Sequence, residues 1–531
     1  MQNTKSALIL LSFLLISRMI TGSLSAQVVT INPEIIPVGQ GAIQNAGSGT
    51  EVWSGGPRNG MTNLVNYAVR VSDYSVNSMI RVGWDAYESN RGEYHFDKMD
   101  IYFERCLKFR QKLNIGCFVT SRAGTKQKID GAYCCYPAYV HEAMQQSTNK
   151  DTTHKIRLSA GHITDAHWEP DFENETFFER YNALLAAFAA YLEQPITVDG
   201  KSIQRKKLVR HIEMRHFGFW GEGASKNNLV PSGSEYLIRF ADAYARHFPD
   251  IRLLVPTNGM VYIPTVYGRI LDYHFHLMTM RNRAGLMGIF KDNWGCYENG
   301  GYQQKIFYEA NLFERNGVRL YELIRDRWQN APLTGEPGKW GPTEYFHPYR
   351  DICKPAAYLH PVVIRNCNVS TGRYKTNPTD YSILNDEKAL KAFHRLYSII
   401  GFRYLFTEAR MEHRDNSLKM EIDWLNIGLT PTYDHWKIRF FVKDISGEEI
   451  WSDYSSFDFR TLLPDSTTPP GVVNADKVQK HIDLFDKVPA EGRLFMQIVD
   501  PDEVSPCMAL SIQGRNACGA YLLTELSCFS E

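Results

Sequence analysis

The chain has 531 residues, a length that predicts two or three domains. Its 59 basic and 59 acidic side chains give a formal net charge of zero, so no basic excess is present to neutralise a phosphate backbone, and nucleic acid is excluded as the expected partner. Aromatic residues make up 13% of the chain, and aromatic excess without basic excess favours sugars or other flat-faced ligands.

The first 26 residues have the pattern of an export signal peptide. Lys5 precedes the ten-residue apolar run Ala7 to Ile16, which is too short to span a bilayer, and small polar residues follow up to Ala26. The alternative, an uncleaved membrane anchor, is disfavoured because Arg18 interrupts the segment. No later apolar run approaches spanning length, so we expect a protein exported to the periplasm or the extracellular space.

Residues 27–60 are rich in Gly, Asn and Pro and predict a wrapping segment with one strand. Apolar runs predict strands at Asn63–Val71, Met79–Trp84 and Asn114–Thr120. Asp97 is the expected N-cap of the helix that lies between the second and third of these runs. Residues 123–170 predict a long irregular insert of the kind that forms functional lids.

The stretch from His211 to Gly223 combines a strand with a glycine-rich loop. Residues 208–217 alternate, which places Glu213 and Arg215 on one face of a strand and predicts an ion pair inside the fold. Gly218, Gly221 and Gly223 then end the strand and leave Trp220 and Glu222 on a short loop. The alternative is an ordinary surface glutamate in a turn.

Strands and helices alternate on both sides of this stretch. The sequence predicts helices at Phe177–Glu193, Glu235–Phe248 and Tyr302–Arg327, and strands at Arg252–Pro256, within residues 270–290, at Ala331–Thr334 and at Tyr358–Ile364. About eight strands alternating with helices predict the α/β class, specifically a (β/α)8 TIM barrel over residues 27–410. In this count residue 208 begins the fourth strand and residue 331 begins the seventh.

The pattern changes after about residue 410, where short alternating strands are separated by turns. Leu418–Trp424, Trp436–Val442, Arg493–Val499 and Ala520–Leu526 predict a small antiparallel β-sandwich domain over residues 411–531. Ten cysteines show no paired Cys-x-x-Cys spacing, which argues against a structural zinc site. One or two disulfides remain open.

Two carboxylates follow strands of the predicted barrel and stand next to glycines. Glu222 follows the fourth strand and Glu336 follows the seventh. Barrel geometry brings the carboxyl ends of its strands around one pocket. Glycoside hydrolysis needs two such groups, about 5–5.5 Å apart in retaining enzymes and about 6.5–9.5 Å apart in inverting ones. The sequence therefore predicts a glycosidase site with these two catalytic residues.

Several segments resemble the clan A glycoside hydrolases, and family-42 β-galactosidase-like barrels in particular. Trp84-Asp85-Ala86-Tyr87-Glu88, followed by Gly92, Tyr94, Phe96 and Asp100, is similar to an entry helix of that family. Phe217 to Glu222 and the C-terminal Trp424 to Gly428 resemble a group of exported bacterial barrel-plus-sandwich proteins. The resemblance implies that Glu222 is the general acid/base and Glu336 the nucleophile of a retaining enzyme. Gly221 departs from the pattern, which has Asn there, so Glu213 or Glu88 is an alternative.

Further residues are expected to bind substrate because they fall at or near predicted strand ends. They are the polar residues Arg122, Arg215, Asn258, His276 and His360 and the stacking residues Trp84, Trp220, Trp294 and Trp340, for each of which core packing is the alternative. His274 and His276 share one side of a predicted strand, but no third metal ligand accompanies them.

The sequence as a whole predicts an exported glycoside hydrolase that acts on an oligo- or polysaccharide, without cofactor, metal or membrane span. The rival hypothesis is a non-catalytic carbohydrate-binding protein on a barrel scaffold, because fold does not fix function. A third, a metal-dependent hydrolase, depends on the histidines alone.

Overall fold

Eight parallel strands close into a barrel. The structure is a computed structural model that describes residues 27–37, 45–46, 49–53, 77–119, 125, 127–147, 154–157, 166–223, 230–257, 266–294, 312–337, 363–365 and 399–529. The barrel strands, in chain order, are Gly49–Trp53, Asn77–Gly83, Lys112–Val119, Val209–Met214, Arg252–Pro256, Gly288–Trp294, Leu333–Pro337 and Val363–Arg365. The eighth pairs with the first and closes the ring. The predicted barrel is therefore confirmed, with Val209 starting its fourth strand and Leu333 its seventh.

Amphipathic helices cover the outside of the barrel. All six residues of the fourth strand are buried, as expected of a parallel strand with a filled interior on one side and helices on the other. The described α-helices are Asp100–Phe109, Ala138–Ser147, Glu175–Glu193, Glu235–His247, Leu271–Thr279 and Leu320–Arg325. Asn174 caps the longest of them by accepting a hydrogen bond from the amide of Phe177 (3.1 Å).

The structure corrects the predicted strand that contains His274 and His276 and the predicted N-cap Asp97. Residues 271–279 form a helix, because Leu271, Phe275 and Met278 repeat at helical spacing and are buried, and the sixth barrel strand begins only at Gly288. Asp97 does not cap a helix with its side chain. It lies inside the 3-10 turn Phe96–Met99, and the α-helix starts at Asp100 without a side-chain cap.

The predicted irregular insert is largely regular in its described part. Strands Lys128–Ile129, Ala132–Tyr133, His154–Arg157 and Ala166–Glu169 form one four-stranded sheet beside the helix Ala138–Ser147. Two- to four-residue strands are too short to carry a readable alternation. Other short hairpins are Pro195–Val198 with Lys201–Gln204, Arg281–Asn282 with Gly285–Leu286, and Glu314–Arg315 with Val318–Arg319. The last interrupts the predicted helix Tyr302–Arg327, whose described helical part is Leu320–Arg325.

Two four-stranded antiparallel sheets form the predicted C-terminal β-sandwich. One contains Val28–Ile31, Tyr404–Arg414, Ser417–Asn426 and Gln479–Phe485, and the other Glu449–Tyr454, Lys437–Lys443, Arg493–Val499 and Ala520–Glu525. Trp424, Phe440 and Met496 lie in the core between them. The strand Val28–Ile31 comes from the N-terminal segment and pairs with Tyr404–Arg414, which crosses residue 410. The N-terminal end of the described chain therefore forms an edge strand of the C-terminal sandwich.

The sandwich packs against the amino ends of the barrel strands. Lys112, the first residue of the third strand, forms ion pairs with Asp500 (3.4 Å) and Asp502 (2.9 Å). Arg210, near the start of the fourth strand, pairs with Asp434. Loops 430–436 and 500–507 thus cap the barrel at the end opposite to the carboxyl ends of its strands, and we call these two loops the cap.

Among the described helices, none combines the length and hydropathy needed to cross a membrane. The predicted signal peptide (residues 1–26) and the predicted strand Asn63–Val71 lie outside the described residues. No disulfide joins the described cysteines, which are Cys106, Cys117, Cys134, Cys135, Cys507, Cys518 and Cys528.

Candidate functional site

A cluster of charged and polar side chains lies on the second, third and fourth barrel strands and on the loop that follows the fourth. Its members, which we call the charged cluster, are Arg81, Asn114, Glu213, Arg215 and Glu222. Buried charges persist in a protein interior only when they are paired or hydrogen-bonded. A cluster of this kind at the end of a barrel where side chains perform chemistry is a functional-site candidate.

The predicted ion pair between Glu213 and Arg215 is confirmed at the centre of the cluster. Both side chains have 0% of their surface exposed. Arg215 Nε donates to Glu213 Oε2 (2.7 Å), and its Nη2 lies 2.6 Å from the same oxygen. Asn114 Nδ2 donates to the other oxygen, Glu213 Oε1 (3.3 Å). The guanidinium lies over the ring of Phe290, 4.4 Å from its centroid.

Glu222 lies at the outer edge of the charged cluster, between two guanidinium groups. Its Oε1 atom is 3.3 Å from Arg81 Nη2 and 3.8 Å from Arg215 Nη1. The residue is only 6% exposed. Two nearby cations favour the ionised form of a carboxylate. Glu222 is therefore a buried carboxylate beside two arginines, and not the surface glutamate of the alternative hypothesis.

The loop of residues 217–223, which we call the carboxylate loop, is tightly folded. Gly218, Trp220, Gly221 and Gly223 have φ angles of +83°, +53°, +68° and +82°. The amide of Gly221 donates to the carbonyl of Gly218 (2.8 Å), and the amide of Gly223 to the carbonyl of Phe217 (3.0 Å). Left-handed backbone at a non-glycine residue is strained, and such strain concentrates at functional sites.

Gly221 has no room for a side chain. A Cβ atom built there would lie 2.4 Å from Arg215 Cβ and 2.5 Å from the carbonyl oxygen of Arg215. The resembled family has Asn at this position. The backbone of this loop is therefore incompatible with that residue, and the departure in sequence is a departure in structure as well.

Glu336 is the penultimate residue of the seventh barrel strand, Leu333–Pro337. This strand pairs with the sixth and the eighth. Because the barrel is closed and all its strands are parallel, the carboxyl ends of the fourth and seventh strands lie at the same end of the molecule. The side chain of Glu336 lies outside the described part of the structure, so the separation of the two carboxylates stays a prediction.

The other predicted substrate-binding residues lie in different environments. Trp84 is fully buried against Phe177 and Tyr181, with ring centroids 5.7 and 5.3 Å away, which is the core-packing alternative. Trp220 is half-buried on the carboxylate loop. Trp294 ends the sixth strand, with its side chain outside the described part. Arg122, Asn258, Trp340 and His360 lie outside the described residues.

The histidine pair is not on a strand. His276 lies on the outer helix Leu271–Thr279, where its Nε2 atom is 2.7 Å from Asp242 Oδ1. His274 is buried on the same helix. Two residues apart on a helix, these side chains point in different directions. In the described part of the chain, His, Cys, Asp and Glu form no group of three with metal-binding geometry. The basis for the metal-dependent hydrolase is therefore removed.

Glu88, an alternative catalytic carboxylate, is buried in a hydrogen-bond network. It accepts hydrogen bonds from Trp84 Nε1 (2.6 Å), the amide of Gly92 (2.9 Å) and the hydroxyl of Tyr139 (2.6 Å). Burial, followed by the hydrogen bond to Glu88, raises the pKa of Tyr139, which keeps that hydroxyl a donor. Three donors on one carboxylate indicate a structural role, and the Trp84–Glu88 segment of the resemblance builds this network.

Arg81 is the member of the charged cluster that the sequence interpretation missed. It stands on the second strand between apolar neighbours and contacts Glu222, 141 residues away. The available signal was a lone cation in an otherwise apolar strand, since such a charge requires a partner. Nothing in its spacing identifies that partner.

No family model and no curated protein matches the chain. Solved structures of glycoside hydrolases are similar to it at low scores. A GH30 endoxylanase from Clostridium papyrosolvens C71 has 10% identity and a TM-score of 0.36, covering 85% of this chain and 96% of its own. The catalytic domain of β-amylase from Paenibacillus polymyxa has 10% identity and a TM-score of 0.41 (66% and 98% covered). Endo-glycoceramidase II from Rhodococcus sp. has 12% identity and a TM-score of 0.38 (72% and 86% covered). TM-scores this low do not support any conclusion about function. The evidence for the barrel is the hydrogen-bonded pairing of its own strands.

Proposed function

We propose that the protein is an exported glycoside hydrolase that cleaves an oligo- or polysaccharide with Glu222 and Glu336. The observation that carries the proposal is the buried, arginine-paired carboxylate of Glu222 at the carboxyl end of a closed barrel. The seventh strand carries a second glutamate, Glu336, towards the same end. Glycosidic cleavage requires two carboxylates that flank one bond.

The proposed mechanism is retaining, with Glu336 as nucleophile and Glu222 as general acid/base. In the second half-reaction, Glu222 takes a proton from water, and the ionised form favoured by Arg81 and Arg215 suits that step. In the first half-reaction it must be protonated. Arg215 has no exposed surface, whereas Arg81 is 14% exposed. A bound sugar that draws Arg81 away from Glu222 would favour the protonated form.

The test is turnover by Glu222→Gln and Glu336→Gln on a panel of chromogenic glycosides and plant and animal polysaccharides. Each variant should lose about 10²–10⁴-fold in kcat, because it lacks an acid/base or nucleophilic group, while binding survives. The surface variant Asp250→Asn should retain full turnover, since its carboxylate is exposed and faces Arg283. Wild-type-like turnover by either glutamine variant would contradict the assignment of that residue.

A non-catalytic carbohydrate-binding protein is the second candidate. The observation that favours it is the pairing of Glu222 with two arginines, which opposes the protonation that a general acid needs. In that case the wild-type protein binds members of the panel, measured by calorimetry, and cleaves none of them.

A further inference from the structure

We infer that Arg215 is a positioning residue that holds the carboxylate loop against the barrel interior and so fixes the place of Glu222. The inference rests on the proposed function only for its kinetic consequences. The sequence predicts substrate binding for Arg215, and in the structure its side chain has no exposed surface and contacts Glu213, Trp220 and Glu222.

The nitrogens of the guanidinium face two different elements. Nε and Nη2 face Glu213, which is part of the fourth strand and therefore of the rigid barrel. Nη1 points to the loop, where it donates to the carbonyl of Trp220 (2.8 Å) and lies 3.8 Å from Glu222 Oε1. One planar group thus joins the barrel wall to the two loop residues that carry the site.

The Arg215 side chain is tightly packed on several sides. A Cβ atom on Gly116 of the third strand would lie 2.7 Å from Arg215 Nε and 2.9 Å from its Cδ. On the loop side, Gly221 is packed against the backbone of Arg215. The ring of Phe290 covers the flat face of the guanidinium. Glycines on two separate elements therefore border this one side chain.

A lysine cannot replace these contacts. Its ammonium is a compact point charge, whereas the guanidinium presents five donors in a fixed fork. The Arg215→Lys variant retains the charge that Glu213 needs but cannot bind Glu213 and the Trp220 carbonyl with the same geometry. Loss of the second contact releases the left-handed backbone at Trp220, since that conformation persists only when the surroundings enforce it.

The first experiment follows the loop without using activity. The protein is labelled with 5-fluorotryptophan, and the Trp220 resonance is assigned in the ¹⁹F NMR spectrum by Trp220→Phe. Arg215→Lys should shift or broaden this resonance. Gly116→Ala should do the same, because it displaces the guanidinium sterically, and it remains a test if Arg215→Lys fails to fold. An unchanged Trp220 resonance in a folded Arg215→Lys or Gly116→Ala protein overturns the inference.

Arg205→Lys is the matched control. Arg205 also binds a carboxylate through Nε and Nη2, that of Asp100 (2.8 and 3.0 Å), and also lies over an aromatic ring, that of Tyr191. It stands just before the amino end of the same fourth strand. The Arg205→Lys variant should have an unchanged Trp220 resonance and unchanged kinetics. If its Trp220 resonance shifts as much as that of Arg215→Lys, loss of any buried arginine–carboxylate pair disturbs the loop, and the inference about Arg215 is wrong.

The second experiment measures kcat, KM and the pH dependence of kcat/KM on a glycoside that the wild-type protein cleaves. Arg215→Lys should lower kcat about 10²-fold, as expected for misplacement of a catalytic group, with little change in KM and a displaced acidic limb. A lower stability with unchanged kcat and unchanged pH profile would identify a structural role only. If the wild-type protein cleaves nothing on the panel, the proposed function fails, and the inference is decided by the NMR result.

Discussion

At the scale of single residues, the absence of a side chain at Gly221 is as informative as the charges around it. The position combines a φ of +68° with close contacts to the backbone of Arg215. The family pattern with Asn before the catalytic glutamate therefore requires a different loop backbone. Here the polar groups beside Glu222 come from Arg81 and Arg215 instead.

We predict that Gly221→Ala lowers the free energy of unfolding by about 1–3 kcal/mol more than Gly92→Ala, as expected for overpacking. Both glycines have positive φ, +68° and +80°, so both substitutions introduce left-handed strain. Only at Gly221 does the new Cβ meet other atoms, since nothing lies within 4 Å of it at Gly92. Urea unfolding of both variants measures the difference, and equal losses would show that the loop relaxes freely.

The charged cluster was only partly predictable from the sequence. The spacing of Glu213 and Arg215, two residues apart on one strand, places them on the same face, and the structure confirms their ion pair. The contact of Arg81 with Glu222 joins residues 141 positions apart. Local periodicity carries no information about such a pair, which only the closed barrel brings together.

At the scale of elements, long periodic segments were predictable and short ones were not. The helix Glu175–Glu193 and the strand Arg252–Pro256 agree with their predicted ranges to within two residues. His274-Phe275-His276 was misread because a short apolar run has no clear period, and its helical spacing emerges only with Leu271 and Met278 included. Each short strand of the insert is stabilised by its neighbours in the sheet, so the local sequence has no pattern that predicts it.

The cap provides a prediction at this scale. Asp500 is buried and accepts hydrogen bonds from the amides of Asp502 (3.0 Å) and Ser505 (2.9 Å), besides its ion pair with Lys112. Burial acts to raise the pKa of Asp500, but the charge of Lys112 and these amides outweigh it, so the pKa lies below its usual value. We expect Asp500→Ala to cost about 1–3 kcal/mol, because it leaves two buried amides without their acceptor and removes one of the two carboxylates that pair with Lys112.

Asp250→Ala is the control for this loss. Asp250 forms an ion pair with Arg283, but both side chains are more than half exposed. Exposed pairs contribute about 0–1 kcal/mol, so this variant should unfold at nearly the wild-type urea concentration. If the two variants are equally stable, the cap contributes little to holding the barrel.

At the scale of the whole molecule, buried histidines make stability depend on pH. Burial lowers the pKa of His211, His216 and His274 to about 3, with the charge of Arg210 as a second cause at His211. In the unfolded chain a histidine takes up a proton near pH 6.5. Between about pH 6.5 and pH 3 the unfolded state therefore binds more protons, and stability falls as the pH is lowered.

We expect each of these histidines to remove roughly 2 kcal/mol of stability between pH 7 and pH 5. Urea unfolding at half-unit intervals of pH measures the slope, and His274→Leu should make it shallower by about one proton. The contribution of the three groups above pH 7.5 should be negligible, which provides the internal reference. A slope that is flat from pH 7 to pH 5 would contradict neutral burial of these side chains.

The cap and the candidate site lie at opposite ends of the barrel. Because the described sandwich loops occupy the amino ends of the strands, the opposite rim can be redesigned without disturbing the anchorage of the domains. Loops on that rim can be exchanged, lengthened or randomised in a library while the contacts between the sandwich and the barrel are retained. A protein engineer would therefore begin diversification with the carboxylate loop's neighbours and leave residues 430–436 and 500–507 untouched.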